Sequence, residues 1–378
     1  MKIVIATDSF KGSLSSLDAG KAVAEGISRV FPEADTVIRP VADGGEGTVE
    51  ALVSGLGGRT IRTEVTGPLG KPVTAGYGIL PDNTAVIEMA AASGLTLIPE
   101  VERDPMHTTT YGTGELIMDA VKRGCRNFII GIGGSATNDG GIGCLQALGF
   151  RMLDKNGQQV GHGAEGLSQL VHITDSYAAD ELKECRFNVA CDVTNPLCGE
   201  NGCSAVFAPQ KGADSEMIVR MDGYLRRYAE LMKTFNKSAS PDTAGAGAAG
   251  GLGFALMYCL DAELRSGADL IIRETGLESE ISTADIVITG EGCLDSQTAM
   301  GKAPVRIAAI AKKYGKPVIA FSGAVRKGAE LCNEQGIDAF FPVLRNVCTL
   351  EQAMDTSAAY ASLADTAEQV FRTIKLFR

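Results

Sequence analysis

The chain has no tryptophan and only three histidines in 378 residues. His107, His162 and His172 stand near no nucleophile motif, so a Ser-His-Asp triad has no support. No two of the ten cysteines are spaced C-x-x-C, which argues against a zinc site, and most sit in apolar surroundings as expected of reduced filler thiols. No apolar run approaches the roughly 20 residues of a membrane span. The opening Met1-Lys-Ile-Val-Ile-Ala-Thr-Asp8 reads as a first strand and not as a secretory leader. The Walker pattern G-x-x-x-x-G-K-[ST] is absent, and G-x-G-x-x-G does not follow the first strand, so a nicotinamide dehydrogenase is disfavoured. Basic residues are outnumbered by acidic ones, 35 against 46, a net charge of −11. Such a surface does not coat nucleic acid or anionic lipid, although one pocket on it can still be positive. Reduced cysteines and these absences together point to the cytoplasm.

Glycine is abundant, with 46 residues against a usual share of about 7%. It concentrates where short β-branched runs end. Ile3–Ala6 runs into Asp8-Ser-Phe-Lys-Gly12, and Val37–Val41 into Ala42-Asp-Gly-Gly-Glu-Gly47. Phe128-Ile-Ile130 leads to Gly131-Ile-Gly-Gly-Ser-Ala-Thr-Asn-Asp-Gly-Gly141, Ile286–Thr289 to Gly290-Glu-Gly292, and Val318–Phe321 to Ser322-Gly323. Parallel strands of an open sheet send their carboxyl ends to one edge, where ligands bind. Glycine lets backbone N–H groups approach phosphate oxygens, and acids nearby can hold Mg²⁺. Repetition of the pattern predicts a phosphate-handling enzyme.

The length favours two domains. Residues 1–58 alternate strand and helix, with helix 16–30 capped by Ser15 or Ser16 and a second helix over 48–55. From 59 the texture becomes an antiparallel meander around the turns at 67–70 and 81–83. Residues 113–149 return to helix, strand, glycine loop and helix, and a helix is expected over 214–234. From about 283 the β-loop-α rhythm resumes, with helices at 303–314, 329–334 and 357–374. The expected architecture is α/β: a discontinuous parallel-sheet domain from 1–58 and 283–378, and an inserted mixed α/β domain from 59–282. Residues 106–148 are assignable to either.

Each loop has a chemical and a plain reading. Gly133, Gly134, Ser135, Asn138 and Asp139 would cradle a phosphate or nucleotide at a helix start, though Asp139 would also serve as a simple cap. Lys11 among Asp8, Ser9 and Gly12 is a cation at a strand end, suited to a carboxylate or phosphate; the alternative is a local turn. Asp43 and Glu46 lie on a third loop, and a first-turn acid explains Glu46 equally well. Glu291, Asp295, Thr298 and Lys302 are placed to surround a metal–phosphate. Asp192, after the apolar run Phe187–Ala190, would act as base towards a hydroxyl or would merely form an Asx turn before Asn195-Pro196. The run Gly245–Gly253 is either a ligand loop or a close-packed helix start.

Together these segments resemble the type 1 glycerate kinase family. The resemblance rests on Asp8-Ser-Phe-Lys-Gly-Ser-Leu14, Pro40-Val-Ala-Asp-Gly-Gly-Glu-Gly-Thr48, Gly133–Gly141, Asp192-Val-Thr-Asn-Pro-Leu-Cys-Gly199, Pro209-Gln-Lys-Gly212, Gly245–Gly253, Thr289–Thr298 and Gly301-Lys302. It implies a flavodoxin-like, Rossmann-like domain interrupted by a second domain, with the active site in the cleft between them. It also implies Mg²⁺ and ATP as cofactors, and phosphorylation of D-glycerate to 2-phosphoglycerate in glyoxylate or sugar-diacid breakdown. The alternatives are a glycerate 3-kinase, a kinase of another small hydroxy acid, and a non-catalytic sugar-acid sensor. On this resemblance Asp192, Lys11 and Asp43 are the catalytic candidates. Gly133, Gly134, Ser135, Asn138, Asp139, Gly290, Glu291, Gly292, Thr298 and Lys302 would bind the nucleotide, and Glu291 and Asp295 the metal. Asp8, Ser9, Lys11, Gly44 and Gly45 would hold the acid. The partners implied are small molecules and neither nucleic acid nor membrane, with a homodimer allowed.

Overall fold

A computed structural model describes residues 1–42 and 47–377. In chain order its strands are β1 (Lys2–Thr7), β2 (Asp35–Ile38), β3 (Arg59–Thr66), β4 (Pro72–Ile79), β5 (Thr84–Glu88), β6 (Asn127–Gly131), β7 (Arg151–Leu153), β8 (His172–Thr174), β9 (Arg186–Ala190), β10 (Glu263–Arg265), β11 (Ile286–Leu294), β12 (Val318–Val325) and β13 (Ala339–Pro342). The chain divides into two compact units. One contains 1–42, 50–57 and 268–377, and the other 47–49 and 58–267. The boundary between the units falls at 268 and not at 283, and the helix Gly267–Glu274 is tied to the first unit by Arg306, which donates to Asp269 at 2.6 Å. Residues 106–148 belong to the second unit. Leu116, Ile117, Phe128 and Ile130 are fully buried in its core.

The first unit is built on a five-stranded parallel sheet in the order β2-β1-β11-β12-β13. Numbered within the unit this is 2-1-3-4-5, the flavodoxin-like order. Its central strands read as unbroken apolar runs because both faces are covered. Ile3, Val4, Ile5 and Ala6 are fully buried, as are Val287 and Ile288. The helix Ser16–Ser28 packs on the helix Thr356–Lys375, and both feed the same core through Val23, Ile27, Leu363 and Phe371. Ser15 caps the first of these by accepting the Asp18 amide at 3.1 Å. The helix expected at 329–334 shrinks to Leu331–Glu334.

β11 outruns its expected length. It continues past Thr289 to Leu294, because the pairing with β12 persists through Cys293 opposite Ala324 and Leu294 opposite Val325. Gly290 and Glu291 are thus strand residues and not a βα loop. A Cβ on Gly290 would stand 2.2 Å from the Phe321 carbonyl oxygen, so only glycine permits this approach of β12.

The second unit holds a six-stranded sheet in the order β10-β9-β6-β5-β4-β3. Its first four strands run parallel, while β5, β4 and β3 form the antiparallel meander. A two-stranded ribbon, β7 with β8, lies apart from that sheet. The long helix Ser215–Phe235, capped by Asp214, buries Met221, Leu225, Tyr228 and Met232. The run Gly245–Gly253 opens the helix Leu252–Leu260 and braces a neighbouring loop. The Gly140 amide donates to the Gly250 carbonyl at 2.9 Å, and a Cβ on Gly250 would meet the Thr137 oxygen at 2.1 Å. The plain reading of this run describes its geometry.

Candidate active site

In the first unit the strand order reverses at β1, where the chain runs outward to β2 on one side and later returns to β11 on the other, all strands remaining parallel, which makes a topological switch point. A cavity of about 420 Å³ opens at the carboxyl ends of β1, β11 and β12. Asp8, Ser9, Phe10, Lys11 and Ser13 line it from the segment after β1. Glu291, Gly292, Cys293, Asp295 and Lys302 line it from β11 and the turn beyond, with Arg326 after β12. Its other wall is apolar, made by Phe10, Val343, Leu344, Leu350 and Met354. The structure thus gathers Asp8, Ser9, Lys11, Glu291, Gly292, Asp295 and Lys302, all expected from sequence, around one cavity within one unit.

Local bonding sets the state of each group. The Asp8 amide donates to the Gly290 carbonyl at 2.8 Å, which ties the end of β1 to β11. Asp8 is buried and its carboxylate accepts the Ser9 amide at 2.6 Å. Glu291 is almost fully buried, and burial pushes its carboxyl above the ordinary carboxylate range. The Thr298 hydroxyl and Lys302 oppose that rise, whereas Asp295 adds to it by repulsion. Lys302 Nζ lies 3.6 Å from Glu291 and 3.9 Å from Asp295. Asp295 caps the short helix Ser296–Ala299, its Oδ1 accepting the Gln297 and Thr298 amides in a capping box.

Two residues expected to touch nucleotide are buried and engaged within the protein. Thr298 is fully buried and gives its hydroxyl to Glu291 Oε1 at 2.5 Å. Gly290 is buried inside β11. Both shape the pocket from behind.

No group of three or more His, Cys, Asp or Glu suited to a metal occurs among the described residues. The Glu291–Asp295 pair nevertheless suits Mg²⁺, which characteristically takes one or two protein carboxylates together with substrate phosphates. Glu291 Oε2 and Asp295 Oδ2 lie outside the capping bonds. The Ser13 hydroxyl oxygen in the same lining is buried with no hydrogen-bond partner among the described residues.

The second unit presents its own strand edge. β5, β6 and β9 are adjacent and parallel, with Glu88 opposite Gly131 and Gly131 opposite Ala190. Glu88, the Gly133–Ser135 loop and Asp192 therefore sit at one sheet edge. Asp192 is exposed there and accepts the Gly267 amide at 3.2 Å. Glu88 accepts the Val49 amide at 2.7 Å. Gly133 and Gly134 are exposed, and Gly134 takes a left-handed φ of 72°.

Asp139, expected as a phosphate ligand or a helix cap, is engaged within the protein. It is fully buried, and its carboxylate accepts from the Thr110 amide and hydroxyl at 2.9 and 2.8 Å and from the amides of Gly141 and Gly143. Burial raises its pKa and these donors lower it. With four donors already bound, Asp139 shapes the loop and has no face towards solvent. Asn138 is equally buried and donates to Ser204 Oγ at 2.9 Å.

Asp43, Gly44 and Gly45 lie outside the described residues. Sequence reasoning missed Glu88 and Arg326, and it assigned no role to Lys211. No helix among the described residues is long and apolar enough to cross a membrane. All ten cysteines are free.

The model of the glycerate kinase family matches residues 3–375. The chain belongs to the glycerate kinase family. Among its relatives, the Glycerate 2-kinase of Escherichia coli K12 is 48% identical over 377 residues, covering 100% of this chain and 98% of that protein. The Glycerate kinase of Bacillus subtilis 168 is 49% identical with the same coverage. A crystal structure of a Salmonella typhimurium LT2 protein described as a glycerate kinase 2 superposes with a TM-score of 0.92 at 49% identity, covering 100% of this chain and 98% of that one. Family membership makes the chain a kinase acting on a hydroxyl acceptor, and it agrees with the flavodoxin-like sheet of the first unit.

Proposed function

We propose that this chain transfers the γ-phosphoryl group of ATP to the 2-hydroxyl of D-glycerate, giving 2-phosphoglycerate. The observation that carries this reading is the switch-point cavity, with charged groups on one side and an apolar wall on the other, in a chain of this family. Such a cavity suits a nucleotide, its base against Phe10, Leu350 and Met354 and its phosphates towards Lys302 and Arg326. The Escherichia coli relative's name supports the 2-position over the 3-position.

Phosphoryl transfer asks a protein mainly for positioning and charge neutralisation. Lys302 meets the charge that develops on the transferring group. Glu291 and Asp295 would hold Mg²⁺, which would offset the negative charge of the ATP phosphates. Lys11 pairs with the acid's carboxylate, with Asp8 and Ser9 fixing the turn that presents it. Asp192 takes the proton of the accepting hydroxyl. Asp43, Gly44 and Gly45 keep their sequence-based assignments, Asp43 to catalysis and the two glycines to the acid. Free thiols throughout support a reducing, cytoplasmic setting.

The test is a panel of small hydroxy acids assayed for ADP release with the purified protein. D-glycerate should be the preferred acceptor by kcat/KM. Preference for another acid would move the substrate assignment, and ligand binding without any turnover would make the chain a sensor.

A further inference from the structure

Lys211 is a buried lysine that touches no acid among the described residues, although the buried Asp139 acts on it from further off. It is 2% exposed, and no carboxylate lies within ion-pair distance among the described residues. Two of its three N–H donors are spent on the Gly133–Gly141 loop, one on Ser135 Oγ at 2.8 Å and one on the Thr137 carbonyl at 2.6 Å. Burying an ammonium without a counter-charge in contact forfeits its hydration, and two neutral acceptors with a more distant carboxylate do not replace that loss. Burial accordingly draws its pKa down to about 8.

The cation stands behind a set of unused donors. The backbone amides of Gly133, Gly134 and Ser135 have no acceptor among the described residues. The flanking positions are pinned, Leu95 donating to the Gly134 carbonyl and Ala136 to the Ser93 carbonyl at 2.9 Å each. Successive free amides around a left-handed residue form a concavity that takes an anion. Ser135 links the two features. Its oxygen accepts from Lys211, which leaves its own proton to donate outward. Thr137 Oγ1 and Asn138 Oδ1 are fully buried without partners in the same loop.

We propose that Gly133, Gly134 and Ser135 form an oxyanion site and that Lys211 is its positioning residue, holding the loop in shape and lending positive charge through Ser135. The ligand is a phosphate or carboxylate group carried by one of the two substrates, so the inference rests on the kinase reading.

The test uses the full-length protein and the variants K211M, K211R and S135A. ADP and D-glycerate are each titrated by calorimetry, and KM and kcat are measured for ATP and D-glycerate. K211M should weaken one ligand by roughly tenfold or more, the loss expected for a charge-assisted interaction. ADP is the ligand affected if the site takes a phosphate, and D-glycerate if it takes a carboxylate. KM for that substrate should rise more than kcat falls, and K211R should recover part of the affinity. Should K211M not fold, S135A must weaken the same single ligand. Folded variants that bind both ligands as wild type does would overturn the inference, as would a wild type that binds neither. Failure of the kinase reading is distinct: it is wild type showing no ADP release that depends on D-glycerate.

Discussion

Thr298 gives its hydroxyl to Glu291 Oε1 at 2.5 Å while the Thr298 amide is capped by Asp295. One threonine thus couples a buried carboxylate of the cavity to the start of a helix. That contact lowers the Glu291 pKa against the larger, opposing effect of burial.

Removing it should raise that pKa further. If Glu291 must be ionised for turnover, the acidic limb of the pH–rate profile should move to higher pH in T298V and stay in place in T298S, which keeps the hydroxyl. An unshifted limb in T298V would show that Glu291 does not set it.

Gly290 makes a separate prediction, because its role is steric. In G290A the new Cβ would meet the Phe321 carbonyl oxygen at 2.2 Å and force β11 from β12. Urea unfolding should show a loss of about 1–3 kcal/mol, the usual cost of overpacking. Full stability with a weakened ATP KM would instead return Gly290 to the nucleotide site.

Lys211 should leave a signature in stability against pH. Its ordinary pKa is 10.5 and its folded value about 8. Between those two values the unfolded chain carries a proton that the folded chain lacks, so this group makes stability rise with pH through that window. Below about pH 8 both states are protonated and the cost of the buried charge is constant. The unfolding free energy of wild type minus that of K211M should therefore increase from pH 7.5 to 9.5, by a few kcal/mol at most. Cys203, held up at about 12 by burial, keeps its proton in the folded chain through this window, and the titration of the same thiol in the unfolded chain is common to both proteins and cancels in the difference. A pH-independent difference would mean that Lys211 does not titrate there.

Asp192 is the proposed base. D192N should lower kcat by roughly 10²–10⁴-fold, the range typical of a lost acid–base group, with KM values little changed. Near-wild-type kcat in a single-turnover experiment would remove Asp192 from the proton transfer.

What could be read in advance follows the range of the forces involved. β1 and β11 were legible because strands covered on both faces must be apolar throughout, and the acids and glycines after them mark the sheet edge. Ser15 was legible as a cap because capping is local. The end of β11 was not, since Gly290-Glu-Gly292 looks like a turn until β12 is alongside to extend the ladder. The glycine neighbours of Asp139 suit phosphate and its position suits a cap, yet Thr110, distant in sequence, occupies its carboxylate. Lys211 carried no signal of burial, since its partners Ser135 and Thr137 lie more than seventy residues away. The unit boundary at 268 depends on long-range contacts such as that of Arg306 with Asp269, which periodicity does not show.

The most direct measurement of the central claim is phosphorus NMR of the purified protein with ATP, Mg²⁺ and D-glycerate. The account predicts that the γ-phosphate signal declines as ADP and 2-phosphoglycerate signals grow together, and only when D-glycerate is present. ATP left intact, or a phosphorylated product other than 2-phosphoglycerate, would contradict it.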